Sequence, residues 1–136
     1  MTSEFIDTNV LIYAFSEDEP QKSDLANELI FEGNRIISLQ VINEFSNICL
    51  RKFKKSPQTV SAAILEIAGR LKIVNFDLST QFKALSLCRQ LTLYYYDALI
   101  IATALQNNCS KIFSEDMQHN QIIEGTLNII NPFIPL

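Results

Sequence analysis

Asp7, Glu44, Asp97 and Asp116 are the residues of this 136-residue chain whose types and places could do chemistry together. Asp7 directly follows Phe5-Ile6, the end of a first strand. Glu44 lies early in an amphipathic helical stretch, at the edge of the apolar face beside Val41 and Ile48. Asp97 opens a segment, Ala98-Leu99-Ile100-Ile101-Ala102, that is apolar on nearly every side, and a first-turn carboxylate is favoured by the helix dipole. Asp116 stands two residues past Ser114, where another strand ends. Ligands of open α/β sheets bind beyond the carboxyl ends of the strands, so acids there or early in the following helices can meet. Two carboxylates 4 Å apart repel by about 4 kcal/mol at an effective dielectric of 20. The natural relief for oxygen-only ligands is a hard divalent ion, Mg²⁺ or Mn²⁺. Such an ion activates water and stabilises charge on a phosphodiester in transfer. Each acid also has a plain structural reading. Asp7 and Asp97 would serve as helix caps or first-turn acids, Asp116 as a turn former and Glu44 as a solvated flank. Glu115 adjoins Asp116 and competes for its role.

The elements that must position these acids follow from periodicity. Strands are expected at Ser3–Ile6, Arg35–Leu39, Lys72–Phe76, Lys111–Ser114 and Leu127–Ile130. Helices are expected over Asn9–Phe15 with Thr8 as N-cap, from Pro20 to an end at Gly33, and over Gln40–Lys52. Others start at Ser56-Pro57 and cover Ser79–Leu91 and Tyr96–Gln106. The second carries a Leu25, Ala26, Leu29, Ile30 stripe. The fourth spaces Val60, Ile64, Ala68 and Leu71 helically, and the fifth is expected to turn Phe82, Leu85 and Cys88 inward. Strands alternate with helices and no Asn-Gly or Asp-Gly hairpin signal occurs, which predicts an α/β domain with a mostly parallel sheet covered on both faces.

Composition bounds the rest. The length fits one domain over 1–136, and 48% hydrophobic residues suffice for a core. Cys49, Cys88 and Cys109 have spacings of neither a disulfide framework nor a zinc site. The single histidine, His119, leaves little room for a His-based mechanism. The N-terminus lacks signal-peptide character and no apolar run is long enough for a membrane span, so a soluble, cytoplasmic protein is expected. A net charge of −4 argues against a coat of positive charge for nucleic acid. Setting the four acids of the site aside leaves 11 of 15, equal to the 11 Lys and Arg. Arg51, Lys52, Lys54 and Lys55 cluster after the Glu44 helix, either as favourable charge at a helix C-terminus or as an RNA-phosphate patch. Tyr94, Tyr95 and Tyr96 offer either base stacking or core packing.

With these residues in view, the chain resembles the PIN-domain ribonucleases, specifically VapC-type toxins of toxin–antitoxin pairs. The resemblance is carried by Phe5-Ile6-Asp7-Thr8-Asn9-Val10-Leu11-Ile12-Tyr13, Ile42-Asn43-Glu44-Phe45, Tyr96-Asp97-Ala98-Leu99-Ile100-Ile101-Ala102-Thr103-Ala104 and Ser114-Glu115-Asp116-Met117. It implies a three-layer α/β/α domain with a mostly parallel five-stranded sheet, and a Mg²⁺- or Mn²⁺-dependent endoribonuclease. It assigns metal binding and catalysis to Asp7, Glu44, Asp97 and Asp116, and hydrogen-bond support to Asn9 and Ser114 with Thr8 flanking. It implies an RNA substrate and a homodimer inhibited by a cognate antitoxin. Gln118–Gly125 lies outside these pieces, and His119 is assigned no catalytic role. Rival readings are a PIN-like module that only binds RNA or protein, a PIN nuclease acting on DNA, and a phosphoryl-transfer domain. The last wants a second Asp where Asn9 stands, or a phospho-acceptor for which Asp77 is a poor stand-in.

Overall fold

The computed structural model describes residues 2–32 and 34–135. The chain runs β1 (Ser3–Ile6), α1 (Thr8–Ala14), α2 (Pro20–Phe31), β2 (Arg35–Ser38), α3 (Leu39–Arg51), α4 (Pro57–Ala68), β3 (Lys72–Val74) and α5 (Leu78–Leu91). It continues through α6 (Tyr95–Gln106), β4 (Cys109–Phe113), β5 (Ile122–Ile123) and β6 (Leu127–Ile130). The sheet order is β3-β2-β1-β4-β6-β5. All neighbours are parallel except β5 against β6. All five expected strands are present. The sixth, β5, is a two-residue antiparallel addition. Its turn is Glu124-Gly125, both at positive φ (52° and 74°), closed by Thr126 N–H donating to the Ile123 carbonyl. With Ile123 paired to Leu127, the hairpin loop is the three residues Glu124-Gly125-Thr126, without the Asn-Gly or Asp-Gly of a two-residue turn that would have signalled it.

Consecutive strand residues point to opposite faces. Phe5 and Ile6 in β1, and Ile36 and Ile37 in β2, are all fully or almost fully buried, so helices cover both faces of the central strands. α6, buried continuously from Ala98 to Ala104, packs along α5. This contact corrects the expected face of α5 in part, Cys88 packing on the core as expected. Thr80, Ala84 and Leu87 turn inward, and Phe82 and Leu85 are 63% and 54% exposed. Small Ala84 lets α5 lie close to alanine-rich α6, and the bulky side chains are left outside. On α4 the inward row is Val60, Ala63, Ile64 and Ile67, and Ala68 faces out. α2 buries Ala26 and Ile30 as its stripe predicts. Gly33, expected to end α2, lies outside the described residues, and Glu32 is the C-cap.

The parallel register carries the site residues to one edge. Ile6 pairs with Phe113, and Asp7 N–H donates to the Phe113 carbonyl at 3.0 Å, which sets Asp7 beside Ser114. Ser114 N–H continues the ladder to the Ile130 carbonyl at 2.9 Å.

Candidate active site

Asp7 is the centre of the arrangement. It is the N-cap of α1, a position expected for Thr8, with its Oδ1 accepting from Thr8 N–H at 2.7 Å. Its carboxylate is the better acceptor and lies first in the extended chain, so the helix begins one residue earlier. Oδ2 accepts from Ser114 Oγ at 2.8 Å and from Asn9 Nδ2 at 3.2 Å. The residue is only 5% exposed. Burial pushes its carboxyl up to about 6, with the charges of Glu44 and Asp97 adding to the rise and the hydrogen bonds from Ser114 and Thr8 opposing it.

Thr8 does more than flank. Its hydroxyl donates to Glu44 Oε1 at 2.7 Å, so one residue bonds two of the acids. Glu44 is half-buried in α3, a helix whose N-cap Ser38 accepts from Val41 N–H as it leaves β2. Burial pushes the Glu44 carboxyl up, the Thr8 hydrogen bond lowers it and the charge of Asp97 raises it further. Asp97 sits in the first turn of α6, its carboxyl raised by burial and then by the charge of Asp116. Asp116 is exposed at the rim, with Oδ2 accepting from Asn9 Nδ2 at 3.1 Å. Asn9 therefore reaches both Asp7 and Asp116, and its Oδ1 accepts from Glu115 N–H at 3.0 Å. Ser114 Oγ, fully buried, also accepts from the N–H groups of Asp116 and Met117 at 3.3 Å each.

All four acids of the expected site thus interact at one edge, with Thr8, Asn9 and Ser114 between them. Glu115 is turned away and is held by Lys22 and Tyr13. Among the described residues none of the four acids is in a salt bridge. No three His, Cys, Asp or Glu side chains among the described residues already stand in metal-holding geometry. The donor set nevertheless fits a hard cation. It consists of carboxylate oxygens, three of the four carboxyls raised by burial and by one another's charge, with dipoles but no basic side chain to offset them.

The other expected residues lie apart from this edge or around it. Arg51, Lys52, Lys54 and Lys55 are exposed at and after the end of α3. Tyr94 and Tyr96, before Asp97, are 85% and 64% exposed, whereas Tyr95 packs on the core. Cys49 and Cys109 are buried, and all three thiols are free. His119 Nδ1 accepts from Asn131 N–H at 2.9 Å, a structural tie. Asp77 caps α5 through Thr80 N–H, which leaves it committed as a cap rather than available as an acceptor of phosphate. One residue escaped the sequence reading. Gln40 is buried four residues before Glu44 and donates from Nε2 to the Tyr96 carbonyl at 3.0 Å, joining α3 to the turn that carries Asp97. Its i, i+4 relation to Glu44 was the available signal.

A family model of the PIN domain matches residues 5–124. The chain belongs to the PIN-domain family. The fold of this PIN domain is also that of several solved structures. It superposes on VapC20 of Mycobacterium tuberculosis, described as a sarcin-ricin loop cleaving toxin, with a TM-score of 0.68 at 14% identity over 83% of this chain and 91% of that one. VapBC2 of Rickettsia felis, bound to a DNA fragment from its promoter, gives 0.70 at 18% identity over 94% and 98%. A toxin–antitoxin complex from Klebsiella pneumoniae gives 0.69 at 20% identity over 96% and 98%. No curated protein sequence matches the chain significantly.

Proposed function

We propose that this PIN domain is a metal-dependent endoribonuclease of the VapC type, the toxin of a toxin–antitoxin pair, acting as a single domain over residues 1–136. The observation that carries the reading is the cluster of four interacting carboxylates at the C-terminal edge of the sheet, tied by Thr8, Asn9 and Ser114 and without basic partners among the described residues.

Asp7, Asp97 and Asp116 would hold Mg²⁺ or Mn²⁺, with Glu44 completing the site through water or beside a second ion. When bound, the ion supplies an activated water and stabilises charge on the phosphodiester. The chain's own part is positioning. Ser114 and Thr8 fix both oxygens of Asp7, Thr8 aims Glu44, and Asn9 spans Asp7 and Asp116. Burial of Asp7 keeps competing water away and makes its carboxylate hungry for a cation. Glu44, raised by burial, is the group suited to take up a proton near the reacting phosphate. Exposed Tyr94 and Tyr96 give bases a stacking surface beside Asp97, and Arg51, Lys52, Lys54 and Lys55 give phosphates an outer patch.

The partners follow the same reading. A groove between α1, α3 and α4, lined by Ile12, Phe15, Phe45, Cys49, Phe53 and Val60, suits an apolar helical segment of an antitoxin. The exposed row Leu78, Phe82, Leu85 on α5 suits a homodimer contact. No described helix is long and apolar enough to cross a membrane.

The test is cleavage. Purified protein is incubated with an RNA panel and with single-stranded DNA, in Mg²⁺, in Mn²⁺ and in chelator, beside Asp7→Asn. The reading predicts metal-dependent RNA cleavage that falls about a hundredfold or more in Asp7→Asn. Cleavage in chelator, or full activity of Asp7→Asn, contradicts it. Cleavage of DNA alone supports the DNA-nuclease alternative, and no cleavage of either polymer supports a binding module.

A further inference from the structure

Two acids follow one another where β4 leaves the sheet, and only one turns to the site. Asp116 Oδ2 faces Asn9 at 3.1 Å. Glu115 points the other way, with Oε1 accepting from the Tyr13 hydroxyl at 2.7 Å and Oε2 from Lys22 Nζ at 2.6 Å. Lys22 comes from a different element, α2, and is held on several sides. Its ammonium lies 3.3 Å from the Tyr13 hydroxyl and 3.4 Å from Glu19. It also stands 4.8 Å from the Tyr13 ring centre and 5.5 Å from that of Phe133. The two rings meet edge-on at 4.9 Å. Lys22 and Glu115 side chains are 24% and 26% exposed, so the pair is set into the surface.

Asn9 and Tyr13 stand one helical turn apart on α1 and reach adjacent residues of the same segment. Asn9 takes Asp116 by its carboxylate and Glu115 by its N–H, and Tyr13 takes Glu115 by its carboxylate. The segment is thereby fixed from both sides, and which acid enters the site depends on which is tied outside it. Released from Lys22, Glu115 would be a longer carboxylate of the same charge beside an exposed Asp116. It would then compete for any cation the site takes and repel the acids already there.

We propose that Lys22 is a positioning residue for the carboxylate site: by holding Glu115 against Tyr13 it selects Asp116 as the acid that faces Asp7 and Asp97. The inference rests on the metal-site reading above. A salt bridge between surface side chains contributes little to stability. This one acts on geometry, because it belongs to the residue next to a proposed ligand, as partners one shell out from a metal commonly do.

Mn²⁺ binding read by electron paramagnetic resonance, with RNA cleavage beside it, tests the inference on the parent, Lys22→Met, Lys22→Arg, Glu115→Gln and the Lys22→Met/Glu115→Gln double variant. Lys22→Met is expected to weaken Mn²⁺ binding about tenfold and to lower kcat with little change in KM. Lys22→Arg, which keeps the cation, restores most of the affinity. The double variant also recovers, because the released charge is gone, and Glu115→Gln alone binds as the parent does. Four outcomes overturn the inference. The first is a Lys22→Met that falls only in melting temperature, with parental Mn²⁺ affinity. The second is a double variant as weak as Lys22→Met. The third is a Glu115→Gln that loses binding as a ligand would. The fourth is a parent that binds no Mn²⁺, which removes the metal-site reading as well, whereas the first three leave that reading standing.

Discussion

The central strands carry acids at both ends, and the two ends treat them differently. Near the start of β1, Glu4 meets Arg35 of β2 at 2.9 Å and Lys111 of β4 at 3.6 Å, so one carboxylate has two cations from the neighbouring strands. Past the other end, Asp7, Glu44, Asp97 and Asp116 have hydroxyl, amide and N–H donors but, among the described residues, no ion pair. The paired end is complete within the fold. The unpaired end gathers four carboxylates, three of them at least partly buried, with no cation beside them among the described residues, which is what the divalent-cation site proposed above requires. Glu115 shows the same contrast at closer range. Burial would push its carboxyl up, but the hydrogen bonds and charge of Lys22 and the Tyr13 hydroxyl outweigh that and hold it below the usual range, while Asp7 and Asp97 in the site are raised.

The largest effect expected from breaking this contrast is on stability at the unpaired end. Between the ordinary value of 3.8 and about 6, a folded chain keeps the Asp7 proton that an unfolded chain releases. Stability without metal therefore falls as pH rises through that window and stays low above about 6. At about 1.4 kcal/mol per pH unit, the loss is about 3 kcal/mol. Asp7→Asn removes it. Chemical denaturation in chelator is expected to show the variant more stable than the parent at pH 7.5, with the difference vanishing near pH 4. A parent whose stability is flat or rises from pH 4 to 6 contradicts this.

A smaller effect of opposite sign is expected at the paired end. Glu4→Gln leaves Arg35 and Lys111 without their anion and is expected to cost about 1–2 kcal/mol of unfolding free energy. Its cleavage rate in Mg²⁺ stays at the parental level, since Glu4 lies at the opposite edge. Loss of cleavage in a folded Glu4→Gln would erase the distinction between the ends. The smallest effect belongs to the basic patch. Replacing Lys52, Lys54 and Lys55 together by Gln is expected to raise KM for RNA a few-fold, about threefold to tenfold, and to flatten its salt dependence, with kcat unchanged.

How far the sequence reveals this molecule depends on whether a feature is local. Asp7 at a strand end, Asp97 at the head of an apolar helix and Asp116 past Ser114 are local signals, and the sheet's parallel register converts them into one edge. The strand and helix alternation is equally legible, because periodicity records burial. The exposed face of α5 was not, because Phe82 and Leu85 show helical spacing whichever way the helix turns, and only contact with α6 decides that Ala84 goes inward. The Glu124-Gly125 turn was hidden because Glu rarely occupies a left-handed position. Along the chain, Asp116 was preferred to Glu115 only by resemblance and by its spacing from Ser114, with no physical reason to exclude Glu115. In the fold Glu115 is held outside the site by Tyr13 and by Lys22, 93 residues away, through side-chain contacts with no sequence signature.

The central claim is that the four unpaired carboxylates form one divalent-cation site. Calorimetric titration of Mn²⁺ into the parent, Asp7→Asn, Asp97→Asn and Glu4→Gln tests it most directly. The account predicts saturable binding by the parent and by Glu4→Gln, and loss of that binding in both Asp7→Asn and Asp97→Asn. Absence of binding by the parent, or undiminished binding by Asp7→Asn, would contradict it.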